Sequence, residues 1–129
     1  MPADPPLAGL TILVVDDHAD TVEMFREYLA AYGATVAGAR SAKSALTIAR
    51  ALVLDAVLVD LRMPDEDGKW FLRELRRSAT ASASAAVFAV TGERNDRPDT
   101  ASGFAGYFLK PVNLDALVAA LSTLPRRVR

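Results

Sequence analysis

A chain of 129 residues that is 51% hydrophobic and 24% charged has the material for one compact core, is too short for two, and is not disordered as a whole. Its net charge of -1 and pI near 5.8 give no basic footprint for nucleic acid or an anionic membrane, and the absence of cysteine removes disulfides and thiolate metal sites. The leader MPADPPLAG lacks the basic start and apolar run of a secretion signal, and no segment reaches the roughly 18 apolar residues of a membrane span, so a soluble cytoplasmic protein with no direct nucleic-acid or membrane partner is expected.

In chain order, the proline-rich leader, residues 1–7, reads as a mobile tether, with the domain proper over 8–125 and a basic tail over 126–129. Leu10 to Val15 is an apolar strand that ends in Asp16 and Asp17. Asp20 with Glu23 three residues on resembles a capping box, opening a helix whose Val22, Phe25, Leu29 and Tyr32 recur at helical spacing and which Gly33 closes. His18, between acidic pair and helix, has no partner pattern and receives no role. Thr35 to Ala39 is a weaker strand. Ser41 caps a second helix that turns Ala45, Leu46 and Ala49 inward and ends near Leu52.

The stretch Asp55 to Gly68, DAVLVDLRMPDEDG, organises the rest. A short apolar run bounded by turn signals reads as a strand buried on both faces, which belongs in a parallel sheet covered by helices. Asp60 then stands at a strand's carboxyl end, the edge where open α/β sheets bind ligands. Gly68 opens a third helix with Phe71, Leu72 and Leu75 on one face, and Trp70 falls roughly opposite them as an exposed residue or contact point. The run Ser78 to Ala86 reads as a loop, Val87 to Val90 as a fourth strand ending in Thr91, and Gly106 to Leu109 as a fifth ending in Lys110 and Pro111, whose peptide bond is expected to be cis. Asn113 caps a last helix bearing Leu114, Leu117, Val118 and Leu121. The window Asp96 to Gly103 contains Pro98 and no leucine, isoleucine, valine or methionine, so the fourth helical segment should be short or irregular.

Strands alternating with helices predict a doubly wound parallel sheet with right-handed crossovers. Four of its strands finish in Asp16 and Asp17, Asp60, Thr91 and Lys110, residues able to handle phosphate or metal, and the topology would gather them on one edge. Clustered carboxylates need a cation or a raised pKa, and an all-oxygen site with few protein ligands suits Mg²⁺. Taken singly, each residue has an ordinary reading: acidic residues before a helix N-terminus, a turn aspartate, a strand-end threonine, a solvated lysine, a packed Tyr107, and a tail of Arg126, Arg127 and Arg129 that complements a helix dipole. Together, that order of preference reverses.

VVDDHAD, VLVDLRMPDEDG, AVTGE and GYFLKPV, in this order and spacing, resemble the receiver domains of two-component response regulators over nearly the whole chain. The resemblance implies a flavodoxin-like five-stranded sheet in the order 2-1-3-4-5. Carried over residue by residue, it implies that Asp60 is the phosphoacceptor and Lys110 the essential lysine, with Thr91 and Tyr107 as switch hydroxyl and switch aromatic. Asp17, Asp60 and the Arg62 backbone carbonyl would hold Mg²⁺, with Asp16 behind them. Arg62 and Glu93, two residues beyond Asp60 and Thr91, would tune dephosphorylation. The implied partners are a histidine kinase or phosphotransfer protein, meeting the first helix, and an unknown downstream protein, with no output domain attached and no turnover of outside substrates. A flavin module is disfavoured because Asp16 and Asp17 would repel the cofactor phosphate, and a haloacid dehalogenase-type phosphohydrolase because position 62 is arginine and not a second aspartate. A degenerate receiver serving only as a protein-binding module is the alternative, and the presence of every matched phosphorylation residue counts against it.

Overall fold

The computed structural model describes residues 4–92 and 103–126. Strands β1 (Thr11–Val15), β2 (Thr35–Ala39), β3 (Ala56–Asp60), β4 (Ala86–Thr91) and β5 (Gly106–Leu109) form one parallel sheet in the order β2-β1-β3-β4-β5, as expected. Helices α1 (Ala19–Ala31), α2 (Ala42–Ala51), α3 (Gly68–Arg77) and α4 (Leu114–Ser122) complete the regular elements among the described residues. The predicted segment from Asp96 to Ser102 lies outside them.

Period-2 alternation splits the core into two layers. Ile12 and Val14 of β1, Leu58 of β3 and Val90 of β4 face one side, where Phe25 and Leu29 of α1 and Leu117 and Leu121 of α4 cover them. Leu13 and Val15, Val57 and Val59, and Val87 and Ala89 face the other, under Ala45, Leu46 and Ala49 of α2 and Phe71, Leu72 and Leu75 of α3. Both faces of β3 are buried along its whole length, which explains its unbroken apolar run, whereas β2 and β5 at the edges are only partly covered.

Most helix boundaries follow their signals. Ser41, Asp67 and Asn113 accept hydrogen bonds from the backbone N–H of Ser44, Trp70 and Ala116 at 3.1, 2.9 and 3.0 Å. Gly33, with φ +105°, closes α1 as a Schellman motif: its N–H donates to Ala30 O at 3.0 Å and that of Ala34 to Leu29 O at 3.3 Å. At the start of α1 the expectation fails, because the N-cap is His18, one residue before the helix and two before Asp20, and no side chain caps it. Trp70 is not exposed on the far side of α3 but half-buried, lying partly against the α2–α3 core. The loop before β4 holds a 3-10 turn, Ala81–Ser84, pinned by fully buried Ser82, whose hydroxyl donates to Leu52 O at 2.7 Å and accepts from Leu54 N–H at 2.9 Å.

The leader also departs from its reading. Leu7 is 0% exposed and packs in the α1–α4 layer, its N–H donates to Tyr32 O at 2.9 Å, and Pro5 lies so close to Gly33 that a Cβ there would meet it at 2.7 Å. The Arg126 guanidinium donates to Pro6 O at 2.5 Å and Ala8 O at 2.8 Å, joining the leader to the segment that follows α4. Composition alone suggested a tether, but one leucine with a place in the core outweighs the prolines around it. Leu7→Ala should cost about 2–5 kcal/mol, read as a lower urea midpoint at unchanged slope, whereas removal of residues 1–4 should leave the midpoint in place. A leader without a place in the core would give no difference between the two.

Candidate functional site

Parallel registers carry the strand ends to a common edge. Val15 pairs with Val59, Asp60 with Val90, and Thr91 with Leu109, so the residues that follow or end these strands lie side by side. Lys110 N–H donates to Thr91 O at 2.8 Å and Leu61 N–H to Val90 O at 2.9 Å, extending the ladder beyond the strands. The Lys110–Pro111 peptide is cis, as expected.

The edge gathers Asp16, Asp17, Asp60 and Lys110. Asp16, Asp60 and Thr91 are buried, at 3%, 5% and 1% exposure, and the Lys110 side chain is about a third exposed. Lys110 Nζ donates to Asp60 Oδ2 at 3.1 Å and reaches Asp16 Oδ2 at 3.5 Å. The other Asp60 oxygen accepts the Arg62 backbone N–H at 3.0 Å. Burial pushes the Asp60 carboxyl above its ordinary pKa, the Arg62 N–H and Lys110 pull it back, and the charge of Asp16 adds to the rise. For Lys110, burial acts to lower the pKa, but the hydrogen bond to Asp60 and the charges of Asp16 and Asp60 outweigh it and hold the ammonium above its usual value.

Tyr107 stands one strand out, paired with Ala89, and is half-buried against the α2–α3 core. Arg62 turns its side chain outward beside a cleft of about 440 Å³ that Met63, Asp65, Asp67 and Lys69 also line. Glu93 lies outside the described residues. The start of α3 presses on the acidic strand end: a Cβ at Gly68 would stand 2.8 Å from the Asp60 carbonyl oxygen, so only glycine fits.

Three neighbours carried no role from sequence. His18 donates its backbone N–H to Asp16 Oδ1 at 2.9 Å and holds ring Nδ1 3.3 Å from an oxygen of both Asp16 and Asp17. Arg40 Nη2 donates to the Asp17 carbonyl at 3.4 Å. Asp65 adopts φ +64°, a left-handed turn residue in the loop from β3 to α3. Direct adjacency to the acidic pair was the available signal for His18, and Arg40 follows the carboxyl end of β2, where Ala39 pairs with Val15, so the parallel strand order places it on the same edge. Oxygen donors dominate the edge, and with two buried carboxylates and a third partly open it has the chemistry to hold a hard divalent cation.

The chain matches the model of the response regulator receiver domain over residues 12–122. A transcriptional regulatory protein of Pseudomonas aeruginosa, AruR, is 35% identical over 127 residues, which is 92% of this chain and 50% of that protein; another, ZraR of Escherichia coli, is 32% identical over 113 residues, 88% of this chain and 26% of that one. This chain therefore spans half or less of those regulators. An uncharacterized 14.6 kDa protein of Leptolyngbya boryana is closer in length, 36% identical over 110 residues and 83% of both chains. Among solved structures, chemotaxis protein CheY4 of Vibrio cholerae superposes with a TM-score of 0.81 at 25% identity, covering 92% of this chain and all of that one, and a CheY-like receiver domain from Methylobacillus flagellatus with 0.77 at 28%, covering 87% and 98%. Sheet order, strand-end chemistry and sequence thus lead to one family, and the chain belongs to the response regulator receiver domains.

Proposed function

We propose that Asp60 accepts a phosphoryl group from the phosphohistidine of a histidine kinase or phosphotransfer protein, and that the change of charge there alters a protein-binding surface. The observation that carries this reading is the 3.1 Å contact of Lys110 Nζ with Asp60 Oδ2 beside the buried acidic pair. An Asp60 oxygen attacks phosphorus, the phosphorus–nitrogen bond of the donor breaks, and the imidazole leaves with the bonding electrons. Lys110, already paired with the attacking group, moves onto phosphoryl oxygens, where its charge offsets what develops in transfer. Mg²⁺, when bound, would supply further positive charge, and Asp17, Asp60 and the Arg62 carbonyl are the groups to hold it, with Asp16 behind them. The protein in this reading catalyses only its own phosphorylation and slow dephosphorylation.

For the donor, a groove of about 250 Å³ opens beside Lys110 between α1 and the turn before α4, with Met24, Phe25, Pro111, Val112 and Leu114 in its walls and Met24 42% exposed. An apolar surface next to the reacting aspartate suits a phosphorylated helix that must bring its histidine to Asp60. On the output side, the Thr91 hydroxyl would turn toward the phosphoryl oxygens and leave room for Tyr107 to rotate inward, biasing an equilibrium between two surfaces. A cytoplasmic location agrees with the kinase partner, and no described helix is long and apolar enough to cross a membrane.

Asp60→Asn should abolish Mg²⁺-dependent labelling by acetyl phosphate; labelling of that variant at the native rate would remove Asp60 from the role. Arg62→Ala and Glu93→Ala should each change the lifetime of the phosphoryl-aspartate, followed by loss of label after the donor is removed, and two unchanged lifetimes would dismiss the idea that these positions gate water. A third expectation concerns stability in metal-free buffer. Because burial raises the Asp60 pKa in the fold, stability from the protonated form is fully present below the unfolded value of 3.8 and is lost as pH rises through the folded one. Asp60→Asn should therefore raise the urea midpoint at pH 7, with the gain shrinking as pH falls toward 3.8, while Lys110→Ala, which strips the carboxylates of their cation, should lower it. A lower midpoint for Asp60→Asn at pH 7 would show that the pairing with Lys110 outweighs the burial.

A further inference from the structure

We propose that His18 adds a nitrogen donor to the acidic pocket and makes it a site for a first-row transition ion, zinc above all, that competes with Mg²⁺ for Asp17. The inference rests on the reading of Asp17 as a Mg²⁺ ligand.

His18 Nδ1 lies 3.3 Å from Asp16 Oδ1 and 3.3 Å from Asp17 Oδ1, and the three donor atoms fall within 4.8 Å of one another. A tetrahedral zinc ion bound to nitrogen and oxygen at about 2.0–2.2 Å holds its ligands roughly 3.3–3.5 Å apart, so the histidine already stands at an edge length of such a polyhedron from both carboxylates. A single ring N–H pointed at one oxygen is poorly aimed at the other. A cation between the three serves all of them.

The ring is not occupied otherwise. His18 is the N-cap of α1, yet its side chain makes no capping hydrogen bond and turns toward the carboxylates, while its backbone N–H, donating to Asp16 Oδ1 at 2.9 Å, fixes the turn that presents it. Lys110 contacts the other oxygen of Asp16, Oδ2, so the ammonium and the proposed ion draw on different lone pairs. The His18 side chain is 74% exposed, which leaves the pocket open to an ion arriving from solvent.

Donor type decides which ion gains. Magnesium holds to octahedral oxygen coordination and keeps much of its water, and one imidazole adds little for it; zinc binds imidazole and carboxylate together and accepts four ligands, the fourth here being water. The sequence has one histidine and no cysteine, so no other side chain offers zinc an imidazole or a thiolate. An ion on Asp16, Asp17 and His18 takes Asp17 from the magnesium set, and zinc would thereby restrain phosphorylation.

The single histidine makes the test unambiguous. In the untagged, ¹⁵N-labelled chain without Mg²⁺, one equivalent of zinc chloride should shift the imidazole Nδ1 resonance, and magnesium chloride should not. Calorimetry should find zinc binding weakened by roughly tenfold or more in His18→Ala, Mg²⁺ affinity unchanged in that variant, and apparent Mg²⁺ affinity of the native chain reduced by zinc. An unmoved Nδ1, a shift confined to Nε2, or full zinc affinity in His18→Ala would each overturn the proposal. Asp17→Asn separates it from its foundation: Mg²⁺ binding that survives this change removes Asp17 from the magnesium set, whatever the Nδ1 resonance does.

Discussion

Three carboxylates share one edge of the sheet with one ammonium, and two of the three are buried. That imbalance is the constraint on which the rest depends. Left alone, Asp16 and Asp60 would repel each other in a poorly solvated place, so the fold must supply positive charge or leave a place for it. Lys110 supplies part and touches both carboxylates at once, while the backbone N–H groups of Arg62 and His18 each take one remaining oxygen. A divalent ion would balance what is left, and a phosphoryl group would bring more negative charge to be balanced in turn. Under the proposed function, a resting site short of positive charge in this way would be sensitive to either ligand.

The scaffold is packed closely around these groups. Asp60 belongs to a strand buried on both faces, the start of α3 is packed on its carbonyl through Gly68, and Thr91 at the end of β4 is bonded through its carbonyl to the Lys110 N–H. Close-packed interiors transmit displacement and do not absorb it. A shift at Asp60 therefore acts on α3 directly, and a shift of Lys110 acts on β5, the partly covered edge strand that carries Tyr107. Edge strands, held on one side only, are where a sheet gives most easily.

Much of this was legible in the sequence, for reasons that differ by element. Apolar runs placed all five strands, four of them ending in acid, hydroxyl or lysine, and the signal was plainest for β3, where two-sided burial leaves few residues from which a strand can be built. Ser41, Asp67 and Asn113 act over three residues, and of these Ser41 and Asn113 were readable as caps from their place before apolar periodicity. Failures came where a distant part of the chain decides the outcome. Leu7 looked like part of a tether because its partners, Tyr32 and the α1–α4 layer, are remote in sequence, and Trp70, read as exposed or as a contact point, is half-buried because helical phase ignores the neighbouring layer. Asp20 was read as a cap and His18 as idle, while the structure starts the helix at Ala19 and turns the histidine to the carboxylates. The acidic pair competes for local geometry there, and propensity takes no account of it. Glu93 and the segment from Asp96 to Ser102 lie outside the described residues and stay as sequence readings.

A comparison of the two edges of the sheet separates polar residues that close the fold from those that serve a ligand. At the amino-terminal edge, Asp55 accepts the Thr11 N–H at 2.7 Å and returns its own N–H to Thr11 O at 2.8 Å, Ser82 ties Leu52 to Leu54, and Arg126 satisfies the carbonyls of Pro6 and Ala8. Each group there meets a backbone partner of opposite polarity. The carboxyl-terminal edge uses the same residue type, aspartate, in the opposite way: its carboxylates face one another as well as a cation. Since no buried side-chain nitrogen or oxygen among the described residues lacks a hydrogen-bond partner, the difference is one of charge and not of unmet hydrogen bonds. Asp16 and Asp60 each accept a backbone N–H as Asp55 does, and in addition they share the Lys110 ammonium. Like charges brought together at one edge of the fold are what a divalent cation would offset, and in the proposed function a phosphoryl group on Asp60 would need that cation and Lys110 to balance its own charge.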